Sequence, residues 1–289
     1  MNIHATLDAY LQQLAADGRS AHTIRQRARH VRLFAAVVGA ERAIGSVDHA
    51  EVAKFLASPT AQRRADGGIR KATSANALRS SIKTFLGYAH DAGFAAQNAG
   101  RLIKPARCGP PLPRTLTADE QARLLAAVAA GKDPEARRDH ALLVVLLGAG
   151  LRIGSALGLD IADVDFARAT IRLRHAKGDR DELLPIAAKV CAALETVVGN
   201  QKDGPVFRAR NGARLGIRQA HRRIADWARS AGIERAVSPH AMRHSFATAV
   251  YERTKDLNVT ARALCHRSLD STKVYARVSV ERLRAAVEA

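Results

Sequence analysis

Residues 238–248 read SPHAMRHSFAT, and this stretch decides how the second half of the chain is read. A serine followed by proline is an N-cap ahead of a first-turn proline, so a helix is expected to open at His240. His240 and Arg243 lie three apart and share a face of that helix. Its first turn carries unpaired N–H groups and the positive end of the helix dipole, which favour a phosphate. An arginine forks onto two phosphate oxygens, and a histidine takes up or gives a proton near neutral pH. Taken alone, the pair is open to a second reading, with His240 as a local cap and Arg243 as one surface arginine among many.

The composition says what such a helix meets. The chain has 289 residues, with 46 Lys and Arg against 27 Asp and Glu, a formal charge of +19. That surplus attracts polyanions, because phosphate contacts release condensed counterions. Aromatic residues are only 4% of the chain, few for the stacking platforms of single-strand and RNA binders, which favours duplex DNA. The three cysteines, Cys108, Cys191 and Cys265, have neither disulfide nor zinc spacing, which fits a reducing cytoplasm. The opening MNIHATLDAYLQQL lacks a signal-peptide layout, and the apolar run 141–151 is shorter than the roughly 20 residues that span a bilayer, so no membrane role is expected.

Two domains are expected from the length. The first, 1–103, reads as four helices: one on Leu7, Leu11 and Leu14, one capped by Ser20, one over 47–56 behind Ser46, and one over 73–92 ending at Gly93. The basic stretch QRRADGGIRK separates the last two. Such a unit suits a DNA clamp, and equally a helical oligomerisation module. Residues 104–116, KPARCGPPLPRTL, read as an extended linker. Thr117 with Glu120 is a capping box that opens 117–289. There, an apolar helix over 137–149 precedes two short strands, 170–174 and 182–186, joined by a turn. Helices follow over 217–230, from 240, and over 258–265, 271–278 and 280–288. The fold class is therefore mainly α with a small antiparallel β-sheet in the second domain.

Four further residues stand out. Arg152, in GAGLRIGSALGL, has apolar neighbours, and a buried arginine needs an anion; a salt bridge to Asp160 or Asp163 fits as well as a phosphate. Lys177 sits beside Gly178 at the turn between the strands, free to swing to a ligand or simply solvated. His266 reads as a ligand donor or a helix C-cap. Tyr275 is a nucleophile or, like Tyr10, Tyr88 and Tyr251, a packing residue.

Their order changes the reading. GAGLRIGSALGL with Arg152, AKGDRDELLPI with Lys177, SPHAMRHSFAT with His240 and Arg243, and LCHRSLDSTKVYARV with His266 and Tyr275 together resemble the tyrosine recombinases, the phage-integrase and Xer-type site-specific recombinases. The resemblance covers the chain from about 117 to its end. The helical first part is similar, less specifically, to the family's SAM-like core-binding domain.

The resemblance implies a site-specific recombinase that cleaves and rejoins duplex DNA. Arg152 and Arg243 would hold the non-bridging oxygens of the scissile phosphate, with His266 hydrogen-bonded to the same group. His240 would assist proton transfer and Lys177 would protonate the departing 5′ oxygen. Tyr275 would attack, leaving a 3′-phosphotyrosyl link. A tyrosine hydroxyl, with a pKa of about 10, needs such cationic surroundings at neutral pH. The protein's own cations take the place of a metal, and no cofactor is implied. A tetramer on two DNA sites is implied, with the amphipathic segment 279–289 docking on a neighbour or on its own domain. The alternatives are a type IB topoisomerase and a non-catalytic DNA-binding relative. Two positions depart from the family pattern. Ser155 stands where an acidic residue is common, and Cys265 where glycine usually precedes the histidine.

Overall fold

The computed structural model describes residues 1–108, 115–176 and 180–265. The chain divides into two compact units, Met1–Pro111 and Leu112–Ala289. Both are built mainly of helices, and the second holds a small antiparallel sheet, as the sequence patterns lead one to expect.

In the first unit, α1 spans Ile3–Ala16 and α2 spans Ala21–Val38, the latter capped by the Ser20 hydroxyl. Helix α3, His49–Ala57, begins two residues later than expected. Ser46 ends a short 3-10 turn instead, and Asp48 takes the cap because its carboxylate accepts from the Glu51 N–H while Glu51 reaches back to the Asp48 N–H. A four-residue helix missed by periodicity, α4 over Pro59–Gln62, precedes the basic loop. Arg70 secures it by donating to the carbonyls of Thr60, Ala61 and Arg63. Helix α5, Ala72–Asp91, closes the unit. Phe34, Phe55 and Phe85 fill the centre with Ile3, Leu78 and Ile82, all but inaccessible to solvent. His30 is buried among them and bonds the Ser81 hydroxyl at 2.8 Å, as a buried polar group must.

The second unit is assembled around the apolar run. Helix α6, Ala118–Ala129, starts at the Thr117–Glu120 capping box, and α7, Ala136–Gly148, carries ALLVVLL. A helix apolar all round must be covered on every side. The covering comes from α6, from α9 (Ala188–Val198), from α10 (Ile217–Ser230) and from α11 (Pro239–Thr254). Between them lie the short α8 (Ile153–Gly158) and the strands β1 (Val164–Asp165), β2 (Thr170–Ala176) and β3 (Arg180–Pro185), with α12 (Leu257–Ala263) last. The strands form an antiparallel sheet in chain order, with Ile171 opposite both Val164 and Leu184. The alternation on β2 buries Ile171 and Leu173 and turns Arg172 and Arg174 outward.

The polar start of α7 is anchored by a buried ion network. Asp139, 2% exposed, accepts from Arg138 at 2.6 Å, from Arg223 at 2.5 Å and from the Trp227 indole at 2.9 Å. Arg223 also forks onto Asp133. Among the described residues, no helix is long and apolar enough to cross a membrane. Asp139→Ala leaves Arg138 in the interior without its carboxylate, and is expected to lower stability by about 3–5 kcal/mol. The urea midpoint of the variant, with its m-value compared to the parent, measures this.

Candidate active site

Helix α11 opens as its sequence dictates. The Ser238 hydroxyl accepts from the Ala241 N–H and Pro239 occupies the first turn. His240, Arg243 and His244 then share one face over the first two turns. Arg243 is 5% exposed. Its two terminal nitrogens donate to backbone carbonyls, one to Gly150 and the other to Leu264, each at 2.5 Å. Those carbonyls belong to the two turns that lead to Arg152 and to Cys265–His266. One guanidinium therefore fastens three segments that are far apart in the chain.

The Gly150 turn needs a glycine. Its φ is +61°, and a methyl group there would collide with the Phe246 ring on α11. Two residues on, Arg152 is the N-cap of α8. Its side chain is exposed rather than buried, because it projects from the turn into a cavity of about 320 Å³ lined also by Ser155, Asp163, Arg172, Arg174 and Cys265. The carboxylates that might have neutralised it are engaged elsewhere. Asp163 holds Arg174 at 2.6 Å and Arg172 at 3.4 Å, and Asp160 holds Arg214 at 2.6 Å. Among the described residues Arg152 has no ion pair. Ser155, where an acid is common in the tyrosine recombinases, is exposed at the cavity edge.

Cys265 follows α12 with φ +50°, a left-handed conformation that an L-residue adopts at a cost and a glycine adopts freely. The glycine usual at this position in the family has that physical reason. Here the thiol packs against the core and beside Glu182 of β3. Burial, reinforced by the Glu182 carboxylate, pushes its pKa up to about 12, so it is no nucleophile at neutral pH.

His240 faces the same cations. Desolvation, then Arg243 and Arg152, hold its imidazole below the ordinary 6.5. His244 is lowered as well, by desolvation and then by His240 and Arg243. The two rings meet edge to face with centroids 4.4 Å apart. Arg152 and Arg243 thus both act on His240. Lys177, His266 and Tyr275, with the helices expected over 271–278 and 280–288, lie outside the described residues. Sequence reasoning passed over His244, four residues after His240, and the Asp163 clasp, foreshadowed by Arg172 and Arg174 alternating with Ile171 and Leu173.

A cavity lined by Arg152, Arg172 and Arg174 suits an anion such as a phosphate, and comparison with known proteins assigns the class. The profile of the phage integrase family matches residues 114–282, and that of the phage integrase N-terminal SAM-like domain matches residues 7–93. Tyrosine recombinase XerC of Chromobacterium violaceum is 32% identical over 279 residues, covering 95% of this chain and 90% of the relative. Tyrosine recombinase XerD of Mycobacterium leprae is 32% identical over 260 residues, covering 83% and 81%. The fold is similar to that of the Tn1549 transposon integrase solved with circular intermediate DNA, with a TM-score of 0.76, 20% identity and complete coverage of both chains. It is also similar to the XerH site-specific recombinase bound to its palindromic difH substrate, with a TM-score of 0.74 and 21% identity over 97% of this chain and 83% of that one. The chain belongs to the phage integrase family of tyrosine recombinases, DNA strand transferases of site-specific recombination.

Two outcomes follow from this geometry. Arg243→Lys cannot reproduce a planar fork, so it loses at least one of the two carbonyl ties, and covalent adduct formation on DNA is expected to drop roughly 10²–10³-fold. Single-turnover kinetics with the parent as reference reads this directly. The second concerns acid. Because the folded-state pKa values of His240 and His244 lie below 6.5, the unfolded chain takes up protons that the folded chain refuses. Their contribution to stability is complete above pH 6.5 and is lost as pH falls toward the folded values. Denaturation midpoints between pH 8 and 5 are expected to decline on the acid side, and less steeply in a His240→Gln, His244→Gln variant.

Proposed function

We propose that this recombinase cuts and rejoins duplex DNA through a 3′-phosphotyrosyl link formed by Tyr275. The observation that carries the reading is that Arg152, which lines the cavity, and Arg243 both act on the His240 imidazole, while Arg243 is tied to the turn that precedes His266. Tyr275 attacks the scissile phosphorus, the bond from phosphorus to the 5′ oxygen breaks, and the tyrosine proton passes to His240. Lys177 protonates the departing 5′ oxygen. Arg152, Arg243 and His266 hold the non-bridging oxygens, whose charge grows in the transition state; fixed guanidinium groups stabilise it without reorganising. The new ester keeps the energy of the phosphodiester, so rejoining is the same step in reverse with the 5′ hydroxyl of a second duplex as nucleophile.

In this reading residues 1–103 clamp the duplex, 104–116 link, and 117–289 carry the chemistry. Four copies act on two DNA sites in the cytoplasm, and the segment 279–289 docks on a neighbour or on its own domain. The charge of +19 supports the polyanionic partner.

The test is adduct trapping. The protein is incubated with fragmented genomic DNA, covalent complexes are isolated, and the attached ends are sequenced, which yields nucleophile and target together. Tyr275→Phe is expected to keep duplex binding and lose every adduct, and EDTA is expected to leave cleavage by the parent intact. Adducts that survive at Tyr251 would overturn the assignment of the nucleophile. Relaxation of a plasmid lacking the recovered site, by a monomer, would replace recombination with topoisomerase action.

A further inference from the structure

The mechanism above uses His240 and Arg243 of α11 and leaves His244 idle. Yet His244 is half-buried directly behind His240, with its ring at 82° to the other and 4.4 Å away between centroids. An i, i+4 pair on one helix face is held in that relation by the backbone. Each ring restricts the rotation of the other about χ2, which is otherwise broad for histidine.

We propose that His244 is the positioning residue of His240, fixing the ring orientation in which His240 accepts the proton of the attacking tyrosine. The inference rests on His240 being that acceptor. It assigns no contact with DNA to His244.

The electrostatics of the pair agree. Among the described residues, Arg243 of α11 acts on both rings and Arg152 at the start of α8 acts on His240. On α12, Arg262 is exposed and Asp256 caps that helix. The ionisable residues of α7 are confined to its first turns, where Arg138 and Asp139 belong to the Arg223 network. Glu182 of β3 faces Cys265. With two guanidinium groups close by, two protonated imidazoles in contact are disfavoured, and the pair titrates as one unit. Burial lowers both imidazoles, and His240 lowers His244 further.

The experiment is a double-mutant cycle read as single-turnover adduct formation on the duplex recovered by trapping, from pH 5.5 to 8.5. His244→Ala is expected to slow adduct formation about tenfold at pH 7 with DNA affinity unchanged. It is also expected to move the acid limb of the profile to higher pH, because the His240 ring loses its cover. His244→Phe keeps an edge-to-face ring and is expected to restore most of the rate and the position of the limb. In a His240→Gln background, His244→Ala should then have no further effect. An equal loss in both backgrounds, or an acid limb that stays in place, would make His244 a packing residue and sink the proposal. If His240→Gln itself leaves rate and profile unchanged, the assignment of His240 as proton acceptor fails instead. Thermal denaturation of each variant separates a folding defect from either outcome.

Discussion

The guanidinium of Arg243 holds the candidate active face of the second unit together. It is buried, and it lies between two carbonyls that belong to turns more than a hundred residues apart in sequence. A charged donor to a carbonyl is stronger than a neutral one, and two such bonds from a planar fork fix angle as well as distance. The Gly150 turn, the first turns of α11 and the end of α12 are consequently set relative to one another by a single side chain. The same side chain is proposed to hold the phosphate, so assembly of the site and binding of its substrate draw on one group.

Charge around the cavity is allotted unevenly, and that is what makes it receptive. Asp163, nearly inaccessible, is clasped by Arg172 and Arg174, and Asp160 is taken by Arg214. The carboxylates thereby stabilise the sheet and the approach to it instead of neutralising Arg152. An arginine that has no counterion among the described residues, near a second, buried one, is an unfavourable arrangement in the isolated protein. An arriving anion would relieve it, and the imidazoles of His240 and His244 are depressed first by burial and then by neighbouring positive charge.

Much of the fold was legible because its signals are local. The Ser238–Pro239 cap, the Thr117–Glu120 box and the alternation on β2 each dictate an element within a few residues. Helix α10 begins and ends where its pattern does. What escaped was not local. Helix α4 owes its end to Arg70, eight residues beyond, and α3 starts at Asp48 because a better cap outcompetes Ser46. Arg152 was expected among apolar neighbours in the interior; its neighbour Leu151 is buried, but a turn at Gly150 points the arginine itself outward. For the site, the order of residue types named the candidates. The carbonyl ties of Arg243 and the pairing of His240 with His244 are three-dimensional facts, and neither leaves a mark that residue type alone would reveal.

The three cysteines differ sharply in chemical reactivity. The Cys265 thiol is held protonated up to about pH 12, and Cys191 is buried with its pKa raised. Cys108 is exposed. A maleimide dye or spin label applied to the unmodified protein at neutral pH will therefore react at Cys108 alone, where the first unit gives way to the proline-rich stretch. The molecule carries a built-in attachment point for a reporter at the end of its first unit.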